Sequence, residues 1–168
     1  SQPALRLDYI DPRPAEQARA VLCLHGWGQW AYVHRHVIAA LQAQSQRQAQ
    51  GKAGVRVLAP DLIGFGQSDK PKREAAHTLA WHVGVLREWL DRLGVTQVVL
   101  IGPGSATALA HALAAADPRR IAAIVVAPTV STPALDAAMR APFPDRGYEA
   151  TLRAFGNGER LNDIDAAG

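Results

Sequence analysis

Short apolar runs alternate with longer amphipathic stretches along most of this chain. Continuous apolar runs of about five residues are typical of strands that are covered on both faces of a parallel sheet. Such runs are found at residues 20–24, 55–59, 98–101 and 121–126. Residues 5–10 instead alternate between apolar and polar positions, which predicts an edge strand with one face in water. The pattern therefore predicts four buried strands and one edge strand.

Three of the intervening stretches have the apolar spacing of helices. These are residues 32–44, 78–93 and 105–116. The second stretch has Thr78 as a candidate N-cap and Gly94 just past its end, which are the expected boundary signals. Strands that alternate with helices predict an α/β fold with a doubly wound, mostly parallel sheet. In such sheets the chemistry lies at the carboxyl ends of the strands.

Composition and charge narrow the class of protein. The chain has 168 residues, of which 48% are apolar and 20% charged, so a globular domain is expected rather than a disordered or fibrous chain. The 18 basic residues are dispersed along the chain, which does not favour nucleic acid as a partner. A charge-free stretch at residues 96–116 is interrupted by Gly102, Pro103 and Gly104, so we expect no membrane helix. One cysteine, Cys23, and no apolar run at the start favour a cytoplasmic protein.

Three motifs follow three of the predicted strands. They are His25-Gly26-Trp27-Gly28, the segment of residues 61–71, and Gly102-Pro103-Gly104-Ser105-Ala106. In this order they resemble the α/β-hydrolase family, and within it haloalkane dehalogenases and related epoxide hydrolases. Residues 141–145 also resemble the segment that closes the dehalogenase cap. The resemblance defines residues 1–155 as one α/β-hydrolase-like domain and leaves residues 156–168 as an unassigned tail.

The resemblance implies a division of labour among site residues. In the family a nucleophile lies on a sharp strand-to-helix turn, an acid orients a histidine, and that histidine activates water. Two backbone N–H groups stabilise the oxyanion, and here they belong to Trp27 and Ser105. His25, Gly26 and Gly102 match motif residues of the family, and His25 is given a structural role. No cofactor is implied.

The nucleophile position falls on Gly104, which has no side chain. This follows from counting back from Asp117 and from aligning Gly102 with the first glycine of the turn. Glycine tolerates strained dihedral angles, so we expect the turn to persist and a side chain there to destabilise it. A shift of one residue makes Ser105 the nucleophile. That shift puts Pro103 and Thr107 where the turn needs small residues, so Ser105 is also interpreted as a residue of the helix N-terminus.

Other parts of the family machinery are not found in the sequence. All six histidines precede residue 112, whereas the family base follows the last strands. The loop after residue 126 has no carboxylate to act as the acid, and Trp27 and Ser105 stand where halide-binding side chains are expected. Asp61 and Asp69 are interpreted as residues that brace a turn. His34 and His36 are two residues apart on a helix and point in different directions, so we expect no metal site.

The chain is short for this family, and two functional hypotheses remain open. We expect a truncated α/β-hydrolase fold with little or no cap, and an exposed edge at residues 121–126 that favours self-association. The first hypothesis is a catalytically degenerate protein: a relic, a fragment, or a non-catalytic module that binds a small molecule or an anion. The alternative is an active hydrolase, dehalogenase-like or esterase-like, that uses Ser105 or residues supplied by another chain.

Overall fold

A computed structural model describes residues 4–12, 19–48, 55–128 and 132–142. In these ranges the backbone forms a five-stranded sheet in the order β1-β3-β2-β4-β5. The strands are β1 (Tyr9–Ile10), β2 (Arg19–Cys23), β3 (Arg56–Pro60), β4 (Gln97–Pro103) and β5 (Ile121–Ala127). β1 pairs antiparallel with β3, and the other pairs are parallel. The predicted mostly parallel α/β sheet is confirmed.

Four α-helices accompany these strands in the described ranges. They are α1 (Arg35–Gln48), α2 (Leu79–Arg92), α3 (Thr107–Ala116) and α4 (Pro133–Arg140). The boundaries of α2 are those predicted, because Thr78 Oγ1 accepts a hydrogen bond from the Trp81 N–H at 3.2 Å and Gly94 follows with φ +65°. α3 begins at Thr107 instead of Ser105, since residues 104–106 form a turn of 3₁₀ helix.

Buried side chains on the two faces of the sheet form two clusters. On one face Leu22, Leu58 and Leu100 pack with buried residues of α2 and α3. On the other face Cys23 and Val57 pack against Ile38 of α1. Helices therefore cover both faces, as the doubly wound prediction required. Burial raises the pKa of the Cys23 thiol to about 12, which makes it a small apolar core residue.

The prediction that residues 121–126 are covered on both faces is wrong. In β5 the side chains of Val125 and Val126 are 47% and 55% exposed, and Ala122 and Ala123 are also exposed. Successive side chains of a strand point to opposite faces, so each face of β5 carries an exposed valine within the described residues, while Ile121 and Ile124 are partly buried against the core. The reason is position: β5 is the last strand of the described sheet, and among the described helices α3 packs against it.

The predicted edge strand at residues 5–10 is shorter than expected. Tyr9 and Ile10 pair with β3, while the preceding residues are held by the loop that follows β3. The Arg6 N–H donates to Asp69 Oδ2 at 2.7 Å, and the Asp8 N–H donates to Ser68 Oγ at 2.8 Å. The Asp69 and Asp61 N–H groups also donate to the Arg6 and Asp8 carbonyl oxygens, so side chains and backbone of this loop together bind the segment before β1.

α4 follows β5 and returns to the loop after β2. The Trp30 indole N–H donates to the Ala138 carbonyl oxygen at 3.0 Å, and Met139 is buried. No helix in the described ranges is long and apolar enough to cross a bilayer. Residues 156–168, and Phe143 to Asp145 of the cap-like segment, lie outside the described residues.

A buried ion pair ties β3 to the chain that leaves β1. Arg56 Nη2 lies 2.8 Å from Asp11 Oδ2, and the two side chains are 6% and 7% exposed. Arg56 Nη1 also donates to the Leu93 carbonyl oxygen at 3.3 Å, just beyond the end of α2. Three segments that are distant in sequence therefore meet at one guanidinium group.

Removal of Asp11 tests this pair. Asp11→Ala leaves the Arg56 charge buried without its partner, so we expect the free energy of unfolding to fall by about 3–5 kcal/mol. Glu88→Ala removes the exposed pair between Arg92 and Glu88 and is expected to cost less than about 1 kcal/mol. Urea denaturation of both variants measures the difference. Equal losses would show that Asp11 and Arg56 contribute no more than a surface pair.

Candidate functional site

The strand order brings the loops after β2 and β4 together. β2 lies between β3 and β4 in the sheet. After β2 the chain crosses to β3 on one side of it, and after β3 it crosses to β4 on the other side. A crevice at such a switch point is the usual ligand site of an open α/β sheet. Here a Cβ atom added at Gly26 would overlap with Ser105 Oγ and would lie 3.0 Å from Ser105 Cβ. The loops that carry Trp27 and Ser105 are therefore in contact, as the sequence predicted.

Close packing marks the centre of the turn after β4. A Cβ atom added at Gly102 would lie 2.8 Å from the Leu24 carbonyl oxygen and 3.1 Å from Ala106 Cβ. Gly102 and Ala106 are thus the two small residues that bring the strand and the following helix close together. They are placed symmetrically, two residues before and two residues after Gly104. This spacing supports Gly104 as the position that a nucleophile would take.

The expectation that Gly104 holds strained dihedral angles is wrong. Its φ lies outside the left-handed region, and no heavy atom of a non-neighbouring residue lies within 4 Å of the position that a Cβ would take. Pro103, just before it, has φ −67°, and the backbone continues from β4 directly into a 3₁₀ turn. The turn is made without left-handed backbone, so a side chain fits at Gly104 without strain.

Ser105 is exposed and lies over the backbone of Gly26. All six histidines fall in the described ranges, and none of them forms a hydrogen bond with the Ser105 hydroxyl there. Ser105 is one of the first residues of a helical turn, where backbone N–H groups have no partner within the helix. Within the described residues its surroundings are those of a helix N-terminus.

His25 occupies the centre of the loop after β2 as a structural residue. The Leu62 N–H donates to His25 Nε2 at 2.9 Å, so His25 Nδ1 carries the proton and donates to the Gly26 carbonyl oxygen at 2.8 Å. Burial lowers the pKa of His25 to about 3, although the hydrogen bond to Gly26 acts in the opposite direction. The ring is therefore neutral at pH 7 and joins the loops after β2 and β3.

Asp61 braces the loop after β3, as the sequence indicated. Its two carboxylate oxygens accept hydrogen bonds from the Ala31 and Gln67 N–H groups, each at 2.7 Å. Gly66 has φ +50°, and a Cβ atom there would overlap with the Asp61 carboxylate. Burial raises the pKa of Asp61 above its ordinary value, and the two backbone donors act against that rise. Both oxygens are engaged by the protein backbone and not directed to a ligand.

An aromatic cluster behind Trp27 was not predicted from the sequence. The His82 ring lies 5.5 Å from the Trp27 ring and 4.9 Å from the Trp81 ring, and it stacks on His77 at 5.7 Å. Phe65 lies 5.7 Å from Trp27 on another side. Burial and the neighbouring His77 and His25 lower the pKa of His82 to about 3. The cluster packs Trp27 against other aromatic rings on more than one side.

The remaining histidines do not assemble a site. His34 is buried, and its Nε2–H donates to the Leu24 carbonyl oxygen at 2.9 Å. His36 and His111 are exposed on α1 and α3. Within the described ranges no group of three or more His, Cys, Asp or Glu residues could hold a metal ion.

The contact between Gly26 and Ser105 can be tested with a double-mutant cycle. Gly26→Ala places a methyl group against Ser105, so we expect the free energy of unfolding to fall by about 1–3 kcal/mol. Ser105→Gly removes the opposing atoms, and the double variant should recover most of that loss. Thermal or urea denaturation gives the four values. Strictly additive effects would mean that the two loops do not touch.

Buried histidines with a lowered pKa predict how stability depends on pH. Burial lowers the pKa of His25 and of His82 to about 3, and it also lowers the pKa of His34. The unfolded chain takes up protons below about pH 6.5 that His25 and His82 exclude in the folded protein down to about pH 3. The free energy of unfolding therefore has its highest value above pH 6.5 and decreases as the pH falls toward 3. Each of the two rings contributes a decrease of up to about 1.4 kcal/mol per pH unit.

Urea denaturation at pH 7.5 and pH 5.0 measures this loss. His82→Phe keeps an aromatic ring against Trp27 and Trp81 and cannot take up a proton, so its stability should fall less than that of the wild type. His36→Gln alters an exposed histidine and serves as the control. A His82→Phe protein with the wild-type loss would contradict the assignment of this pH dependence to His82.

Comparison with known proteins places this chain in a family. A family model described as the alpha/beta hydrolase fold matches residues 19–161. A haloalkane dehalogenase from Mycobacterium marinum is 34% identical, over 91% of this chain and 61% of its own length. A haloalkane dehalogenase from Psychrobacter cryohalolentis is 36% identical, over 75% of this chain and 38% of its own length. The chain thus spans about 60% or less of the length of these curated relatives.

Solved structures give the same assignment. The tetrameric haloalkane dehalogenase DpaA from Paraglaciecola agarilytica superposes with a TM-score of 0.74 and 25% identity, over 90% of this chain and 60% of that chain. An α/β hydrolase from Novosphingobium aromaticivorans superposes with a TM-score of 0.61 and 31% identity, over 75% and 41% of the two chains. The chain therefore belongs to the α/β-hydrolase family and is similar to the haloalkane dehalogenases within it.

Proposed function

We propose that this chain is a catalytically degenerate relative of the haloalkane dehalogenases. One observation carries the proposal: the position between Gly102 and Ala106, where the turn is closely packed, is occupied by Gly104. Covalent catalysis at this turn needs a side chain that can form an ester with the substrate. Glycine has none, so the reaction has no first step at this position.

The surroundings of Gly104 support the same proposal. Burial lowers the pKa of three of the buried histidines: His25, His34 and His82. His25 and His34 are hydrogen-bonded to backbone groups, and His82 packs in the aromatic cluster. A general base must accept a proton near the operating pH. A histidine whose pKa is about 3 is a poor base at pH 7, and no histidine is hydrogen-bonded to Ser105 in the described part of the chain.

In this proposal the groups that bind a ligand are backbone N–H groups. The N–H groups of Trp27 and Ser105 lie on two loops that are in contact at the carboxyl edge of the sheet. The start of a helical turn favours negative charge because its N–H groups point outward. The proposal therefore includes weak binding of a small anion or an anionic small molecule, without turnover. It also places the protein in the cytoplasm, in keeping with its free, buried Cys23.

The alternative proposal is an active hydrolase of dehalogenase or esterase type. The observation in its favour is the position of Ser105. This residue is exposed, and its hydroxyl lies against Gly26 of the loop after β2. In this alternative the base and the acid come from another chain. Pro103 and Thr107 flank Ser105 at the positions where this turn needs small residues, which is why the first proposal is preferred.

Activity assays separate the two proposals. We expect the wild-type chain to release no halide from a bromoalkane and to hydrolyse no nitrophenyl ester above the buffer rate, since Gly104 offers no nucleophile. Gly104→Asp and Gly104→Ser should also give little turnover, because the described part of the chain places no histidine base beside Gly104. Their free energy of unfolding should equal that of the wild type or exceed it by up to about 1 kcal/mol, since the backbone at Gly104 is unstrained.

Ser105→Ala is the matched control for these assays. It removes a hydroxyl from the neighbouring position and leaves the Ser105 backbone N–H in place. Wild-type turnover that disappears in Ser105→Ala would contradict the degenerate assignment and support the serine hydrolase. Bromide titration, followed by chemical shifts of the indole and backbone N–H groups, then tests the binding part separately.

A further inference from the structure

Gln29 binds both polar groups of the Gly26 backbone. Its side-chain Oε1 accepts a hydrogen bond from the Gly26 N–H at 2.9 Å, and its own N–H donates to the Gly26 carbonyl oxygen at 3.1 Å. The second of these bonds closes a four-residue turn, in which Gly28 is the third residue and has φ +82°. A type II turn requires a positive φ of this size at its third position. The last residue of the turn therefore fixes the residue that begins it.

The contact with Gln29 restrains a position that must be glycine. A Cβ atom at Gly26 would overlap with Ser105 Oγ and would lie 3.1 Å from Gln29 Oε1. Glycine has more backbone freedom than any other residue, so the two peptide units that flank Gly26 rotate easily unless hydrogen bonds hold them. Gln29 Oε1 holds the unit before Gly26, and the Gln29 N–H holds the unit after it.

The peptide unit after Gly26 carries the Trp27 N–H. This unit is planar and trans, so its carbonyl oxygen and its N–H point in opposite directions. The Gly26 carbonyl oxygen points to the Gln29 N–H and also accepts from the His25 Nδ1–H at 2.8 Å. The Trp27 N–H consequently points away from both of these groups.

The Trp27 ring is held separately from its N–H. The ring packs against Phe65 at 5.7 Å and against His82 at 5.5 Å. A peptide unit turns about its two flanking Cα atoms with little movement of the side chains beside it, so these ring contacts do not by themselves fix the direction of the N–H. That direction depends on the hydrogen bonds of the turn.

We propose that Gln29 is a positioning residue that directs the Trp27 N–H toward the crevice beside Ser105. The proposal rests on the anion binding proposed above and deepens it, because it names a side chain that orients one of the two donors. Gln29 acts through Gly26 and not by contact with the ligand. Without Oε1 the Gly26 N–H loses this acceptor, and the peptide unit that carries the Trp27 N–H gains freedom to rotate.

Amide NMR without a ligand tests the turn directly. In the wild type we expect the Gly26 N–H to be protected from solvent exchange. Residual dipolar couplings should give a Trp27 N–H direction opposite to the Gly26 carbonyl group, with the amides of the sheet as the reference frame. Gln29→Met keeps the side-chain length and removes the acceptor, so the Gly26 protection should fall about fivefold or more and the Trp27 coupling should change.

Two further variants complete this experiment. Gln29→Glu keeps an acceptor oxygen for the Gly26 N–H and should restore both the protection and the coupling. It adds a negative charge and is therefore used in the measurements without a ligand. Gln44→Met replaces an exposed glutamine of α1 and is the matched control for Gln29→Met.

Bromide titration tests the consequence for the site. In the wild type, bromide should shift the N–H resonances of both Trp27 and Ser105. In Gln29→Met the response of Trp27 should decrease relative to that of Ser105, and the Kd should rise about fivefold. A loss of stability alone would reduce both responses in the same proportion, and urea denaturation of the variant measures that stability.

Two results would overturn the proposal. A wild-type Gly26 N–H that exchanges as fast as an unprotected amide would show that Gln29 does not hold it, and this readout needs no variant to fold. A Gln29→Met protein with the wild-type Trp27 coupling, or with the bromide affinity of Gln44→Met, would show that the direction of the N–H does not depend on Gln29. A wild type in which bromide shifts neither N–H would instead contradict the proposed anion binding, and the measurements without a ligand would still decide the role of Gln29 in the turn.

Discussion

The arrangement of the site depends on one buried, neutral imidazole. His25 accepts a hydrogen bond from the Leu62 N–H and donates one to the Gly26 carbonyl oxygen, so a single ring sets the loop after β2 against the loop after β3. Gly26 in turn lies against Ser105 of the loop after β4, so three loops meet around this ring. A charged ring could donate at both nitrogens but could not accept from Leu62. Burial, which keeps the pKa of His25 near 3, therefore preserves the geometry of all three loops.

The scaffold and the chemistry are separable in this protein. The core is built from leucines of β2, β3 and β4 that pack against α2 and α3, and none of these contacts involves a catalytic side chain. In active members of such families, strained backbone at the nucleophile is tolerated because the reaction requires it. Gly104 has no such strain, so the turn here is an ordinary passage from strand to 3₁₀ helix. Membership of the α/β-hydrolase family consequently describes the fold and the loops, and activity has to be argued from Gly104 and its neighbours.

The two ends of the sheet contrast in how their edges are satisfied. On the side of β1, the backbone before Tyr9 is bound by Ser68 and Asp69 from a loop of the same chain. On the side of β5, the described residues provide no comparable partners, and valines on both faces are open. Unpaired edge groups are satisfied by water or by another strand, so within the described residues the two ends of the sheet differ in how much of their backbone this chain itself satisfies. The β5 end is distinct from the switch point between β2 and β4 where the candidate site lies.

Local information in the sequence determined the elements, and contacts between distant residues decided the rest. The apolar runs, the Thr78 cap and Gly94 predicted strands and a helix correctly, because periodicity and capping act over a few neighbouring residues. The order of the motifs predicted that the loops with Trp27 and Ser105 meet, because parallel strands end at one edge. The exposure of β5, the relaxed backbone at Gly104 and the packing of His82 on Trp27 could not be predicted in this way. Each of these features depends on which segment of the chain packs beside the residues concerned. The local pattern of apolar and polar residues is the same whether or not such a segment packs there.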